Sequence, residues 1–161
     1  MKTFRLRRIR GREGQALAEM VIVLPVLLLL VFGIIEMANA WRTFQVVVNG
    51  TREGARVAIL PPVGTPAQHE TTIRTRIEEY LDSGNLTDPD REIIIECYRN
   101  GTQDGSSTCG TTRSGTESRI RVEYPYDFLL IRPVMRLACG DGCAGNFGQI
   151  TIASTSSMRN E

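Results

Sequence analysis

The spacing of apolar positions changes along the chain, and each change predicts a different element. From Met20 to Ile35 sixteen apolar residues run without a charge, with Glu19 before them and Glu36 after. That run is short against the ~20 residues a bilayer core demands. Ala16 to Ala18 and Met37 and Ala38 lengthen it, at the cost of including the two glutamates. Pro25 removes one backbone hydrogen bond and predicts a slight kink, which membrane helices tolerate. Beyond Glu36 the pattern becomes periodic. Met37, Trp41, Phe44, Val48, Ala55 and Ile59 recur at intervals near three, four or seven, as one face of a helix does. Gly50 and Gly54 weaken that helix locally, each by ~1 kcal/mol relative to alanine. Pro61 and Pro62 stop it. A single helix from Gln15 to Leu60 would extend roughly 69 Å at 1.5 Å per residue. Its second half must therefore project into water or pack on something. The Trp41, Phe44 and Val48 stripe is expected to pack in part against the domain that follows, and to offer a surface to neighbouring copies.

After that break, Thr65 can cap a second helix with Pro66 in its first turn. Ile73, Ile77, Tyr80 and Leu81 mark its buried face, and Ser83-Gly84-Asn85 ends it. The period then drops to two. Glu92 to Tyr98 is rich in isoleucine, and Arg119 to Tyr124 alternates Ile120, Val122 and Tyr124 with charged residues, which predicts neighbouring antiparallel strands. Asn100 to Glu117 between them reads as a long Gly, Ser and Thr-rich loop. Pro125 to Leu137 carries an apolar cluster broken by Pro133 and reads as an irregular segment over the core. Phe147 to Met158 supplies a last strand. The fold class is therefore α+β: a long N-terminal helix, a second helix and a small antiparallel sheet of about three strands. The chain divides into a basic leader (1–14), a transmembrane and amphipathic helix (15–60) and a small exported domain (61–161).

Charge sharpens the first of these divisions. Lys2, Arg5, Arg7, Arg8, Arg10 and Arg12 against Glu13 make the first fourteen residues +5, which leaves −4 for the rest of a chain whose formal net charge is +1. A basic tip directly before an apolar run holds the N-terminus on the cytoplasmic side, with the domain exported and the chain crossing the membrane once. No basic groove with interleaved aromatics follows, so nucleic acid is not an expected partner; the lipid bilayer is. Cys97, Cys109, Cys139 and Cys143 all lie on the exported side, and their even number suggests two disulfides. Three connectivities are possible. Proximity in sequence favours Cys97 with Cys109 and Cys139 with Cys143. A four-cysteine zinc site is the rival, but its short paired spacing occurs only once, in Cys139-Gly-Asp-Gly-Cys143.

Catalytic signatures are missing from the sequence. No glycine loop leads into a Lys-Ser or Lys-Thr helix start, and there is no Gly-x-Ser-x-Gly and no histidine pair for a metal. Adjacent Glu78 and Glu79 diverge by ~100° on a helix and read as a solvated face. His69, the single histidine, is expected on the surface of the second helix. The chain is not expected to be an enzyme or to need a cofactor or metal. Glu19 stands apart, because a carboxylate at the end of an apolar helix costs ~2.5 to 3.5 kcal/mol at the bilayer centre and less near the interface. It needs a positive partner. A cut after Gly14 would free an amine on Gln15, and a neighbouring chain's amine could pair with Glu19.

Basic leader, Gly14, then Gln-Ala-Leu-Ala-Glu-Met and an apolar helix resembles the type III signal of type IV pilins and pseudopilins. In that family a prepilin peptidase cuts after the glycine and a glutamate stands fifth in the mature chain; Glu19 is fifth from Gln15. The closer resemblance is to the TadE-like proteins of the tight-adherence (Flp) pilus system. These typically show a Gly-Gln-Ala-like start, an apolar run containing proline, and an Arg-Glu-Gly-Ala-Arg motif, here Arg52-Glu53-Gly54-Ala55-Arg56. The closing Ser157 to Glu161 is similar to the family's C-terminal end. Met20 departs from it, standing where the processing motif of this subgroup usually has an aromatic. The resemblance implies a minor pseudopilin that contributes to pilus assembly and adhesion, with prepilin peptidase, other pilin or pseudopilin subunits and the assembly machinery as partners. At 161 residues the chain exceeds the very short major pilins of the system, which favours the minor role.

A second reading competes. Ala38-Asn39-Ala40 has the small-x-small form of a signal peptidase site and directly follows the apolar run, so a cut after Ala40 would give a secreted protein. A plain uncut anchor carrying a small binding domain is the third.

Overall fold

The structure is a computed structural model and describes residues 12–61, 64–99, 101–103, 116–130, 133, 136, 140 and 149–159. Helix α1 (Arg12–Ala58) and helix α2 (Pro66–Ser83) lie against one face of a four-stranded antiparallel sheet. The strands are β1 (Glu92–Arg99), β2 (Thr102–Gln103), β3 (Thr116–Asp127) and β4 (Gln149–Arg159), in the spatial order β2-β1-β3-β4. The α+β class, the two helices and the antiparallel β1–β3 pair match the sequence pattern. The strand count is corrected from about three to four, because β2 lies inside the stretch read as loop. It pairs through Tyr98 with Gln103 and Arg99 with Thr102, so only two residues, 100 and 101, link it to β1. Gly101 there takes φ +81°, a left-handed conformation open to glycine at little cost. The Asn100-Gly101 dipeptide is the sequence signal for that turn.

Helix α2 begins as its sequence directs. The Thr65 hydroxyl accepts from the Gln68 N–H, and the Gln68 side chain accepts from the Thr65 N–H, with Pro66 in the first turn. Ile73, Ile77 and Leu81 are fully enclosed and point at α1 and the sheet, while Tyr80 stays partly exposed. His69 is 4% exposed, which corrects the surface placement. It lies four residues before Ile73 and therefore on the same buried face. Strand β3 is longer than its alternating core and runs through Pro125 to Asp127. Pro125 lies beyond the β1 pairing, which ends at Glu92–Glu123, and has a strand on one side only, opposite Thr151 of β4, an edge-like position that tolerates proline. The irregular segment therefore starts after Asp127 and not at Pro125.

The seam between α1 and α2 decides which face of α1 is buried. Its enclosed positions are Glu36, Thr43, Val47, Gly50, Thr51, Gly54, Ala55 and Ala58. This corrects the predicted stripe: Met37, Trp41 and Phe44 are exposed, and only Ala55 of that set is fully buried. Hydrophobicity alone pointed to the aromatic side. The winning side is built of small residues that let the helices approach. A Cβ on Gly54 would stand 2.5 Å from the Ile77 side chain, and one on Gly84 would stand 2.5 Å from Val46. Thr51 is tolerated in the seam because its hydroxyl donates to the Val47 carbonyl at 2.7 Å. Around the seam, Val47, Ala55, Ile73, Ile77, Leu81, Ile93, Ile95, Ile120, Val122, Tyr124, Tyr126 and Ile152 form one core.

Cys97 on β1 is 3% exposed, and the other three cysteines, Cys109, Cys139 and Cys143, with the pairings expected of them, lie outside the described residues. Non-reducing peptide mapping should return Cys97 joined to Cys109, and a peptide joining it to Cys139 or Cys143 would overturn pairing by proximity. Gly54→Val should lower the stability of the folded domain by about 1–3 kcal/mol through overpacking against Ile77. Thermal unfolding in detergent reads this directly, and an unchanged melting temperature would refute the close-packed seam.

Candidate functional site along the first helix

The helix has two halves with opposite surroundings. Every residue from Gly14 to Ile35 is exposed, and the most apolar 18-residue window has a mean hydropathy of 2.8 with 6% of it buried inside the molecule. Leu17, Val21, Ile22, Leu29 and Ile34 each show about two thirds of their surface or more. Burying such a cylinder in lipid or among other helices is strongly favoured, at ~25 cal/mol per Å² removed from water. The helix is long and apolar enough to serve as a single-pass membrane anchor.

Gly14 and Gln15 sit in the first turn of α1, and Glu19 follows about one turn later on the exposed cylinder, with no partner among the described residues. The candidate processing junction and the candidate pairing carboxylate are thus about 7.5 Å apart along one helix. No other element of the chain contacts this end among the described residues. Any charge that compensates Glu19 comes from another molecule or from its own N-terminal neighbours.

At the other end Glu36 behaves differently from Glu19. It is 1% exposed, and its Oε1 accepts from the Leu130 N–H at 3.2 Å, across 94 residues of sequence. Its Oε2 is buried with no hydrogen-bond partner among the described residues. Burial, and then the Glu36 carboxylate, push the Tyr126 hydroxyl above its ordinary pKa. Tyr124 is likewise raised, first by burial and then by Asp88. Sequence reading took Glu36 only as the boundary of the apolar run. Its enclosure could not be read from spacing, because the covering segment arrives from the far end of β3.

The Arg52-Glu53-Gly54-Ala55-Arg56 motif lies at the seam. Gly54 and Ala55 are buried there, and Glu53 reaches Arg76 of α2 at 3.3 Å and Arg56 at 3.7 Å. Both pairs are largely exposed and contribute little on their own. Arg52 is exposed, without an ion pair among the described residues. The motif therefore lies where α1 docks on α2: small residues set the separation, and Glu53 reaches across to Arg76 at the rim. Among the described residues no group of three or more His, Cys, Asp or Glu side chains could hold a metal.

Residues 14–56 match the family model described as TadE-like protein. The matched segment opens on Gly14, takes in Glu19, the apolar run and Glu36, and closes on Arg56. The TadE-like segment thus comprises the exposed half of α1 together with most of the face that docks on α2, and the domain beyond α1 lies outside it. No curated protein and no solved structure matches the chain.

The raised tyrosines give the folded domain a definite alkaline response. Their folded pKa values exceed the unfolded value near 10, so their contribution is complete below pH ~10 and is lost as pH rises through the folded values. A Tyr124→Phe, Tyr126→Phe double variant should show a shallower loss of stability above pH ~10 in thermal melts. An identical slope would sink this assignment.

Proposed function

We propose that the chain is a minor pseudopilin of a tight-adherence pilus system, cut by a prepilin peptidase between Gly14 and Gln15 and contributing to pilus assembly and adhesion. The observation that carries the reading is the TadE-like match, which begins on Gly14 and places Glu19 fifth after it. Before assembly, α1 anchors the protein in the cytoplasmic membrane with the leader inside and the domain exported. On assembly, the exposed face of the helix exchanges lipid for other helices. Dispersion and close packing supply the attraction, provided that charges are matched. Glu19 and the Gln15 amine of a neighbouring chain form such a match. The exposed Trp41 and Phe44, whose rings lie 5.7 Å apart, continue that packing surface beyond the bilayer. The chain acts through assembly and not through catalysis.

The signal-peptidase alternative meets a physical obstacle. Helix α1 runs unbroken through Ala38-Asn39-Ala40, and a cut after Ala40 would remove Glu36, the carboxylate that holds the Leu130 N–H. That cut would also strip the base of the domain from its membrane half.

N-terminal sequencing of the protein purified from its pilus-forming host distinguishes the readings. A start at Gln15 is expected, whereas Trp41 would make it a secreted protein and Met1 an uncut anchor. Gly14→Val should leave the leader attached. Glu19→Ala should preserve cleavage but reduce surface pili and adhesion at least tenfold, and wild-type piliation in a strain lacking the protein altogether would refute the pseudopilin role.

A further inference from the structure

The Glu36–Leu130 hydrogen bond ties a loop of the exported domain to one level on α1, and that level is set by the membrane. Ala16 to Ile35 spans about 20 residues and ~30 Å, the thickness of a hydrocarbon core. Glu36 then stands at the outer boundary of that core. Leu130 is bonded to it, so the segment after β3 reaches the same depth. Its neighbour Leu129 is 70% exposed, among the most exposed large apolar residues in the domain. Phe128 packs inward, edge-on to Tyr126 at 5.4 Å between centroids, and leaves Leu129 as the outward side chain. Leu129 also lines a groove of about 240 Å³ with Asn39 and Arg42 of α1. Arg42 is exposed and lies ~9 Å beyond Glu36 along the helix, within reach of lipid phosphates. Trp41, ~7.5 Å beyond Glu36, falls in the layer where tryptophan is favoured.

We propose that the segment Asp127–Leu130, clamped to α1 by Glu36, is a second membrane contact that seats the exported domain on the bilayer surface, with Leu129 at the boundary between headgroups and acyl chains. The inference rests on the anchor reading of α1. Exposure of Leu129 to water is costly in the isolated domain and is relieved at that depth. The buried Glu36 side chain has a structural task here: its bond to the Leu130 N–H makes the loop and the helix one footing.

The chain contains a single tryptophan, which allows a clean test. In the full chain carrying Trp41→Phe, a reporter is introduced by Leu129→Trp or, as a control inside the helix, by Leu28→Trp. Each protein is reconstituted into phosphatidylcholine–phosphatidylglycerol vesicles with plain or brominated acyl chains. Both reporters should lose at least half their fluorescence to the brominated lipid, and the one at position 129 should be poorly quenched by aqueous acrylamide. Adding Glu36→Ala should restore at least half of the lost signal at 129 and leave the reporter at 28 quenched; no change at 129 would overturn the clamp. Quenching at 28 without quenching at 129 overturns this inference and leaves the anchor standing. Loss of quenching at 28 overturns the anchor itself. Protection of 129 from acrylamide without quenching by brominated lipid would place protein over the loop and would also overturn the proposal.

Discussion

Close approach of α1 and α2 is the constraint on which the folded domain depends. Gly54 sits so near Ile77 that a single added carbon would stand 2.5 Å from that side chain, and Gly84 is equally crowded by Val46. Short separation lets Val47, Thr51, Ala55 and Ala58 share one layer with Ile73, Ile77 and Leu81, and it brings Ile120 of the central strand up beneath both helices. Glycine in a helix interior costs about 1 kcal/mol against alanine. The packing gained around Ile77 offsets that cost. The Arg-Glu-Gly-Ala-Arg motif acquires a physical meaning from this seam, as a rule for how near a second helix can lie.

Because the seam occupies one side of α1, the opposite side is left for other molecules. Trp41 and Phe44 would be natural core residues in an isolated amphipathic helix, yet they stand outside the domain, in line with the apolar cylinder below them. The helix therefore presents a greasy face from Met20 to Phe44 and a second, small-residue face only from Glu36 onward. One face stays exposed throughout, and the other holds the domain.

The two glutamates that bracket the apolar run illustrate how context assigns a role to the same side chain. Glu19 is solvent-facing in the monomer and has no internal partner among the described residues, so its charge is available to another molecule. Glu36 is enclosed and spends one oxygen on a backbone N–H from a loop 94 residues away. A buried carboxylate is tolerated only where hydrogen bonds replace water. Its presence at the end of the apolar run couples the position of the domain to that of the exposed half of α1.

What the sequence determined by itself were the features that local rules govern. The uninterrupted apolar run, the Thr65–Gln68 capping box, the Ile73, Ile77 and Leu81 face and the alternation of Ile120, Val122 and Tyr124 each follow from the spacing of residues within one element. The spacing between Gly14 and Glu19 is local in the same way, a matter of neighbours in the chain. The tertiary structure decided what depends on a distant partner. His69 is buried because its helix turns that side inward, and Glu36 because a loop from β3 closes over it. The docked face of α1 is the small one and not the aromatic one, because helix separation is set by the bulk of Ile77 and Val46, and hydrophobicity along a single helix carries no record of either.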